Sequence, residues 1–224
     1  MSKRIKLAQR LLPDYTKGEE IMNMVTHIAG GALGVVALVL CVLRSALTGS
    51  AMDVVGCAIY GGTMVLLYGV SSVYHGLRHA MAKKVMQVID HCTIYFLIAG
   101  TYTPILLSAF VPGNPLLGCS VLAAQWGLCA LAVTLTAIDL KKYNTFSMIC
   151  YIGMGWMIAF CLPQAVELLT RQGFGLLLAG GIAYTVGAVL YGIGSKVRWM
   201  HSVFHIFVVL GSLLQFLSIF FYVI

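Results

Sequence analysis

A chain of 224 residues that is 60% hydrophobic and 9% charged, with a mean hydropathy of +0.95, lies far outside the composition of a soluble globular domain. It reads as an integral membrane protein. The formal net charge of +7 does not point to nucleic acid, because the basic residues flank apolar runs; membrane lipids, with their anionic head groups, are the expected partners.

From the N-terminus, residues 1–20 carry Lys3, Arg4, Lys6, Arg10 and Lys17 without an apolar core and form a short basic tail. The apolar stretch that follows is long and lacks a small-x-small cleavage pattern, so a retained first span is expected rather than a signal peptide. Residues 21–224 hold apolar runs at about 21–43, 53–75, 88–110, 116–138, 146–166, 174–194 and 200–224. Each is close to the ~20 residues needed to cross a hydrocarbon core. Runs this long and uniformly apolar are helices, not the alternating strands of a barrel. The expectation is an all-α integral membrane fold: one seven-transmembrane helix bundle, with loops too short for a second domain.

Within the spans, Gly30-x-x-x-Gly34, Gly61-Gly62 and Gly180-Gly181 with Gly187 offer small surfaces for close helix contact. Pro104 interrupts the third span, where Thr101 and Thr103 can satisfy nearby backbone groups. The seven cysteines, Cys41, Cys57, Cys92, Cys119, Cys129, Cys150 and Cys161, contain no C-x-x-C pair and are expected to be buried, reduced and packing. Basic residues fix the orientation. With the N-terminus in the cytoplasm, the tail, Arg78, Lys83, Lys84, Lys141, Lys142, Lys196 and Arg198 all lie inside, twelve of the fourteen, leaving Arg44 and Arg171 outside. That asymmetry needs an odd number of spans and puts the C-terminus outside.

Orientation assigns a depth to every polar residue at ~1.5 Å of rise per residue. His75 lies about 4.5 Å before Arg78, His201 and His205 about 4.5 and 10.5 Å beyond Arg198, and Asp90 about 9 Å past Lys84. His27 follows Glu20 by seven residues at the same end of the first span. Four helices thus bring imidazole or carboxylate to the inner membrane face. His201 and His205, four apart, share a helix face, as do Ser71 and His75. Glu20, Asn23 and His27 form a polar stripe that lipid would disfavour, so it should face the bundle interior.

Three neutral imidazoles from two helices, His75, His201 and His205, make a ligand set for one zinc ion that leaves a fourth position for water, as in catalytic zinc centres. Iron, nickel and copper also suit nitrogen ligands. Asp90 could orient a ligand, take a proton from the water or offset the ion's charge, and Ser71 could hydrogen-bond the water or a substrate oxygen. A lone H-x-x-x-H is weak evidence, since interfacial or packing histidines produce it readily; the conjunction of three helices at one depth is the stronger signal. His79, beside Arg78, is expected to be solvated. His91, about 100° around the helix from Asp90, is expected to miss the centre. Asp53, Glu167 and Asp139 need only solvation.

Glu20-x-x-Asn23-x-x-x-His27, Ser71-x-x-x-His75, the run Asp90-His91-Cys92-Thr93-Ile94-Tyr95 with Ile98-Ala99-Gly100-Thr101-Tyr102-Thr103-Pro104, and His201-x-x-x-His205 together resemble the bacterial hemolysin III family. That family is similar to the progestin and adiponectin receptors and, more distantly, to alkaline ceramidases. The resemblance runs from Glu19 to the C-terminus. It implies seven helices, N-in and C-out, with zinc near the cytoplasmic face of a bacterial inner membrane, held by His75, His201 and His205 with Asp90 beside the water and Ser71 next to it. Glu20, Asn23 and His27 match the family's first motif and are expected to support the ligands or contact substrate. The tail is shorter than that of the receptors.

The function expected first is a zinc-dependent intramembrane hydrolase of lipid amide or ester bonds, with Asp90 as general base. The alternative is a non-enzymatic sensor or membrane-homeostasis protein in which zinc clamps helices. A cytolytic pore ranks lower, because a secreted toxin must be soluble before insertion. A proton pathway is weakened by the lack of a polar relay in the outer halves of the spans.

Overall fold

The computed structural model describes residues 7–194 and 197–224; Lys3, Arg4, Lys6 and Lys196, which contribute to the charge asymmetry, lie outside the described residues. Seven helices are long and apolar enough to cross a membrane, and we number them in chain order: α1 Lys17–Thr48, α2 Ala51–Gly76, α3 Ala80–Gly113, α4 Pro115–Ile138, α5 Asn144–Leu168, α6 Thr170–Gly194 and α7 Met200–Tyr222. No strand occurs among the described residues. An odd number of spans puts the two termini at opposite ends of the bundle. We call the ends of α1, α2, α3, α6 and α7 nearest the N-terminus its N-terminal face.

Local sequence sets the helix ends. Thr16 opens α1 with a capping box, its hydroxyl accepting from the Glu19 amide while the Glu19 carboxylate accepts from the Thr16 amide at 2.8 Å, and Ser50 with Asp53 does the same for α2. Asp53 is therefore a cap and not only a solvated charge. His79 caps α3, its Nδ1 accepting from the Ala82 amide at 3.3 Å, and its side chain is exposed as expected. Pro104 removes one backbone donor and is followed by a π-helical segment, Ile105–Phe110. Thr101 and Thr103 donate to the carbonyls of Leu97 and Ala99, so their hydroxyls serve the turn before the proline and not the carbonyl it frees. Helix α5 is broken by a 3₁₀ turn, Met157–Cys161, which the sequence reading did not foresee.

Helix α1 packs on α2 and also on α7, α2 packs on α3, and α6 packs on α7, so the first, second and last spans share an interior. Small residues permit this. Gly30 lies under the Tyr68 ring, Gly34 against the backbone of Val65, Gly61 against Leu38 and Gly180 against Gln215. Gly62 and Gly181 face open space, which limits the close-contact expectation to one member of each pair. The most buried large side chains include Tyr60, Tyr68 and Tyr95. All seven cysteines are free; Cys119 is exposed, so the expectation of burial fails there, and Cys150 is half-buried, packed against the cluster of Tyr95, Cys129 and Met154.

Candidate metal centre

At the N-terminal face, α2 contributes His75 and α7 contributes His201 and His205, with exposures of 3%, 8% and 1%. One nitrogen from each lies within 4.8 Å of the others. Hydrogen bonds set how two of the rings present themselves. His75 Nδ1 is 2.7 Å from Glu20 Oε2; a carboxylate only accepts, so Nδ1 carries the proton. His75 Nε2 is then a bare lone pair, and it is buried without a hydrogen-bond partner. His205 Nδ1 donates to the Asn23 carbonyl at 3.2 Å, which leaves its Nε2 as an acceptor too. His205 Nε2 and His201 Nε2 lie 3.1 Å apart. Two ligands on one tetrahedral zinc at ~2.05 Å are separated by about 3.3 Å. The residues present therefore fit a metal: spacing matches a coordination edge, and an orphaned lone pair stands beside it.

Helix α1 builds the support. Glu20 is bound on its other oxygen by Lys83 Nζ at 2.9 Å, and Lys83 also donates to the carbonyls of His75 and Leu77. The chain Lys83–Glu20–His75 is an ion pair feeding a carboxylate-oriented imidazole, an arrangement that fixes a ligand's tautomer and ring angle. Asn23, fully buried, accepts from Ser202 Oγ at 2.6 Å through Oδ1 and holds His205 through its backbone. Its Nδ2, 3.4 Å from His75 Nδ1, meets another donor and adds nothing there. His27 stacks on His205, ring centroids 3.7 Å apart, and meets the Tyr68 ring edge-on; both its nitrogens are buried without a partner. The stripe Glu20, Asn23, His27 thus faces inward.

A second clasp sets the start of α7. The Glu19 carboxylate, 2% exposed, accepts from the Trp199 amide at 2.7 Å and from Arg198 at 3.3 Å. Trp199 adopts a left-handed φ of 66° immediately before the helix, a conformation that costs about 1–2 kcal/mol for a residue with a side chain.

Beside the histidines opens a cavity of about 160 Å³, running between α3, α5, α6 and α7. Asp90, Ser71, His27, His201 and His205 line its polar end; Leu97, Ile98, Ile105, Phe174 and Leu177 line the rest. Small-molecule sites share this pattern of mostly apolar walls with a few polar groups. The Ser71 hydroxyl approaches the Asp90 carboxylate. Asp90 is not among the groups whose atoms converge with the three histidine nitrogens, which suits a group acting beside a metal rather than on it.

His91 is not one of the converging histidines, yet it lines the cavity wall with Asp90, its Nδ1 donating to the Gln87 carbonyl at 2.8 Å and its Nε2 lying 3.1 Å from the Tyr191 hydroxyl. The cavity wraps around α3, so a 100° separation does not take a residue out of it. Sequence reasoning also missed Lys83, Glu19, Ser202 and Tyr191. Of these, Glu19 was legible, because Thr16-x-x-Glu19 is a capping-box pattern.

Comparison with known proteins identifies the family. A family model described as "Haemolysin-III related" matches residues 15–216. Hemolysin-3 of Bacillus cereus is 39% identical over 205 residues, 92% of each chain, and the Hemolysin-3 homolog of Bacillus subtilis is 38% identical over 93% of this chain and 96% of its own. The human monocyte to macrophage differentiation factor is 25% identical over 90% of this chain and 83% of its own, which fits the resemblance to the progestin and adiponectin receptors. With the four motifs in order and a match over most of its length, this chain belongs to the haemolysin III-related family.

Proposed function

We propose that this chain is a zinc-dependent hydrolase of lipid amide or ester bonds, acting in the bacterial cytoplasmic membrane with its N-terminal face in the cytoplasm. The observation that carries the reading is the meeting of three histidine nitrogens within 4.8 Å with the Asp90–Ser71 pair at the polar end of a long apolar cavity. Zinc held there would supply Lewis acidity, acidifying water to a pKa of about 7 and polarising a carbonyl. The protein supplies the rest. Asp90 takes the proton of the attacking water and returns it to the leaving group, Ser71 orients the Asp90 carboxylate, and the apolar walls seat an acyl chain while limiting water. Glu20 and Lys83 hold His75 in the tautomer that offers Nε2, and Asn23 does the same for His205. Bacterial relatives and the basic loops of the N-terminal face support the membrane and orientation.

A second reading has its own observation. The three nitrogens come from α2 and α7, and both helices are hydrogen-bonded to α1 through Glu20 and Asn23, so a metal here would also clamp three helices in a sensor or homeostasis protein. The two separate in one experiment: metal analysis of purified wild type and Asp90→Asn, followed by fatty-acid release from a panel of lipid amides and esters. Hydrolysis by wild type that is lost in a metal-replete Asp90→Asn supports the hydrolase. No release from any lipid, with metal bound, leaves the clamp; a metal-free wild type removes both.

A further inference from the structure

The segment ahead of α1 crosses the N-terminal mouth of the histidine centre. At its start, Arg10 Nη2 donates to the Lys84 carbonyl at 2.7 Å and Lys84 Nζ donates back to the Ala8 carbonyl at 2.6 Å, clasping the segment to α3. At its end, Arg198 donates to the Asp14 carbonyl at 2.5 Å and pairs with the Asp14 carboxylate at 3.2 Å, clasping it to the residues before α7. Between these anchors and α1, Tyr15 lays its ring on His201, centroids 4.8 Å apart and planes at 21°, and comes within 5.9 Å of the His75 ring.

The attachments are of a releasable kind. The 3₁₀ turn Leu7–Gln9 buries no side chain, and the Arg198–Asp14 pair is largely exposed, at 54% and 96%; exposed ion pairs hold weakly. Segments with few buried apolar contacts open at low free energy while the core stays folded. By contrast, the groups beneath Tyr15 are buried in a bundle that cannot open locally without breaking helix packing.

We propose that residues 7–16 form a latch over the histidine centre, with Tyr15 as its plug, whose release admits metal ions and water-soluble species from the N-terminal face. This deepens the metal reading and rests on it for only one of its two measurements.

The first measurement is loss of zinc from the loaded full-length protein to a chelator. Tyr15→Ala should speed it about tenfold, and the double variant Arg10→Ala/Asp14→Ala, which removes one side-chain bond from each clasp without touching the histidines, should speed it in the same direction. Tyr15→Phe should keep the wild-type rate, because the ring and not the hydroxyl makes the stack. The second measurement needs no metal: modification of His201 by diethylpyrocarbonate in the metal-free protein, read by mass spectrometry, should accelerate in the same two variants and not in Tyr15→Phe. Labelling at the wild-type rate in both opened variants overturns the latch. A wild type that binds no zinc defeats the metal reading, yet the labelling still decides the latch. Should Tyr15→Ala fail to fold, as judged by its thermal transition, the double variant carries the test, since both its residues lie outside the helices.

Discussion

Two buried polar clusters in this bundle differ in what they leave unpaired. Between α3, α4 and α5, the Tyr95 hydroxyl meets Thr136 at 3.0 Å, Thr136 meets Ser147 at 3.2 Å, and Ser147 donates to the Tyr143 carbonyl at 2.9 Å. That chain closes on itself. At the histidine centre the polar groups are more numerous, but His75 Nε2 and both nitrogens of His27 find no hydrogen-bond partner. Leaving a buried polar atom unmade costs about 1–3 kcal/mol; Tyr60 and Ser108 each leave a single hydroxyl unpaired elsewhere, whereas the histidine centre gathers three bare imidazole nitrogens in one place. A saturated cluster is glue between helices; an unsaturated one is poised for a ligand.

Substitutions can break that contrast. The largest effect is expected at the ligand set: His201→Ala or His205→Ala should take bound zinc from about one ion per chain to none detectable by elemental analysis, since a site reduced to two nitrogens forfeits most of its affinity. If both variants retain metal, the unsaturated cluster holds it elsewhere or not at all. Next, Asp90→Asn should lower lipid hydrolysis by about 10²–10⁴-fold, the usual worth of a general base, with metal content unchanged. Glu20→Gln should weaken zinc affinity by about 10–100-fold, as losing the carboxylate behind a ligand histidine does, measured by competition with a chromogenic chelator. The smallest effect belongs to the closed cluster: Thr136→Val should cost about 0.6 kcal/mol, typical of an interhelical hydrogen bond in a membrane, read by unfolding in mixed micelles, and should leave zinc binding untouched. A change in metal affinity there would erase the distinction.

Much of this was legible before any coordinates. The spans follow from hydropathy, because lipid penalises every unpaired backbone group and leaves long apolar helices as the solution. That His75, His201 and His205 gather at one end of the bundle follows from the fixed helical rise and from their nearness to the span ends. What the sequence hid was lateral. Lys83 looked like one more loop charge, since a count of positive residues says nothing of which way a side chain turns; in the fold it is 9% exposed and bound to Glu20. His91 looked misaligned because a helical wheel assumes a flat partner, whereas α3 is surrounded and the cavity touches two of its faces. Tyr15 carried no signal, being one aromatic in a polar tail. The broken helix α5 and the π segment of α3 each adjoin a proline, Pro163 just after the 3₁₀ turn and Pro104 just before Ile105–Phe110, and neither leaves a periodic trace.

The left-handed turn at Trp199 has a consequence for how this family can vary. Successive residues on a helix are about 100° apart, so moving the start of α7 by one position would swing His201 and His205 out of the interior together. Here the start is set by the Glu19 carboxylate seizing the Trp199 amide, a bond to α1 and not to the preceding helix. The angular phase of α7 is therefore indexed from the other end of the chain. Insertions or deletions between α6 and Arg198 can accumulate without turning the histidines, whereas a single residue added between Trp199 and His201 would mistime both.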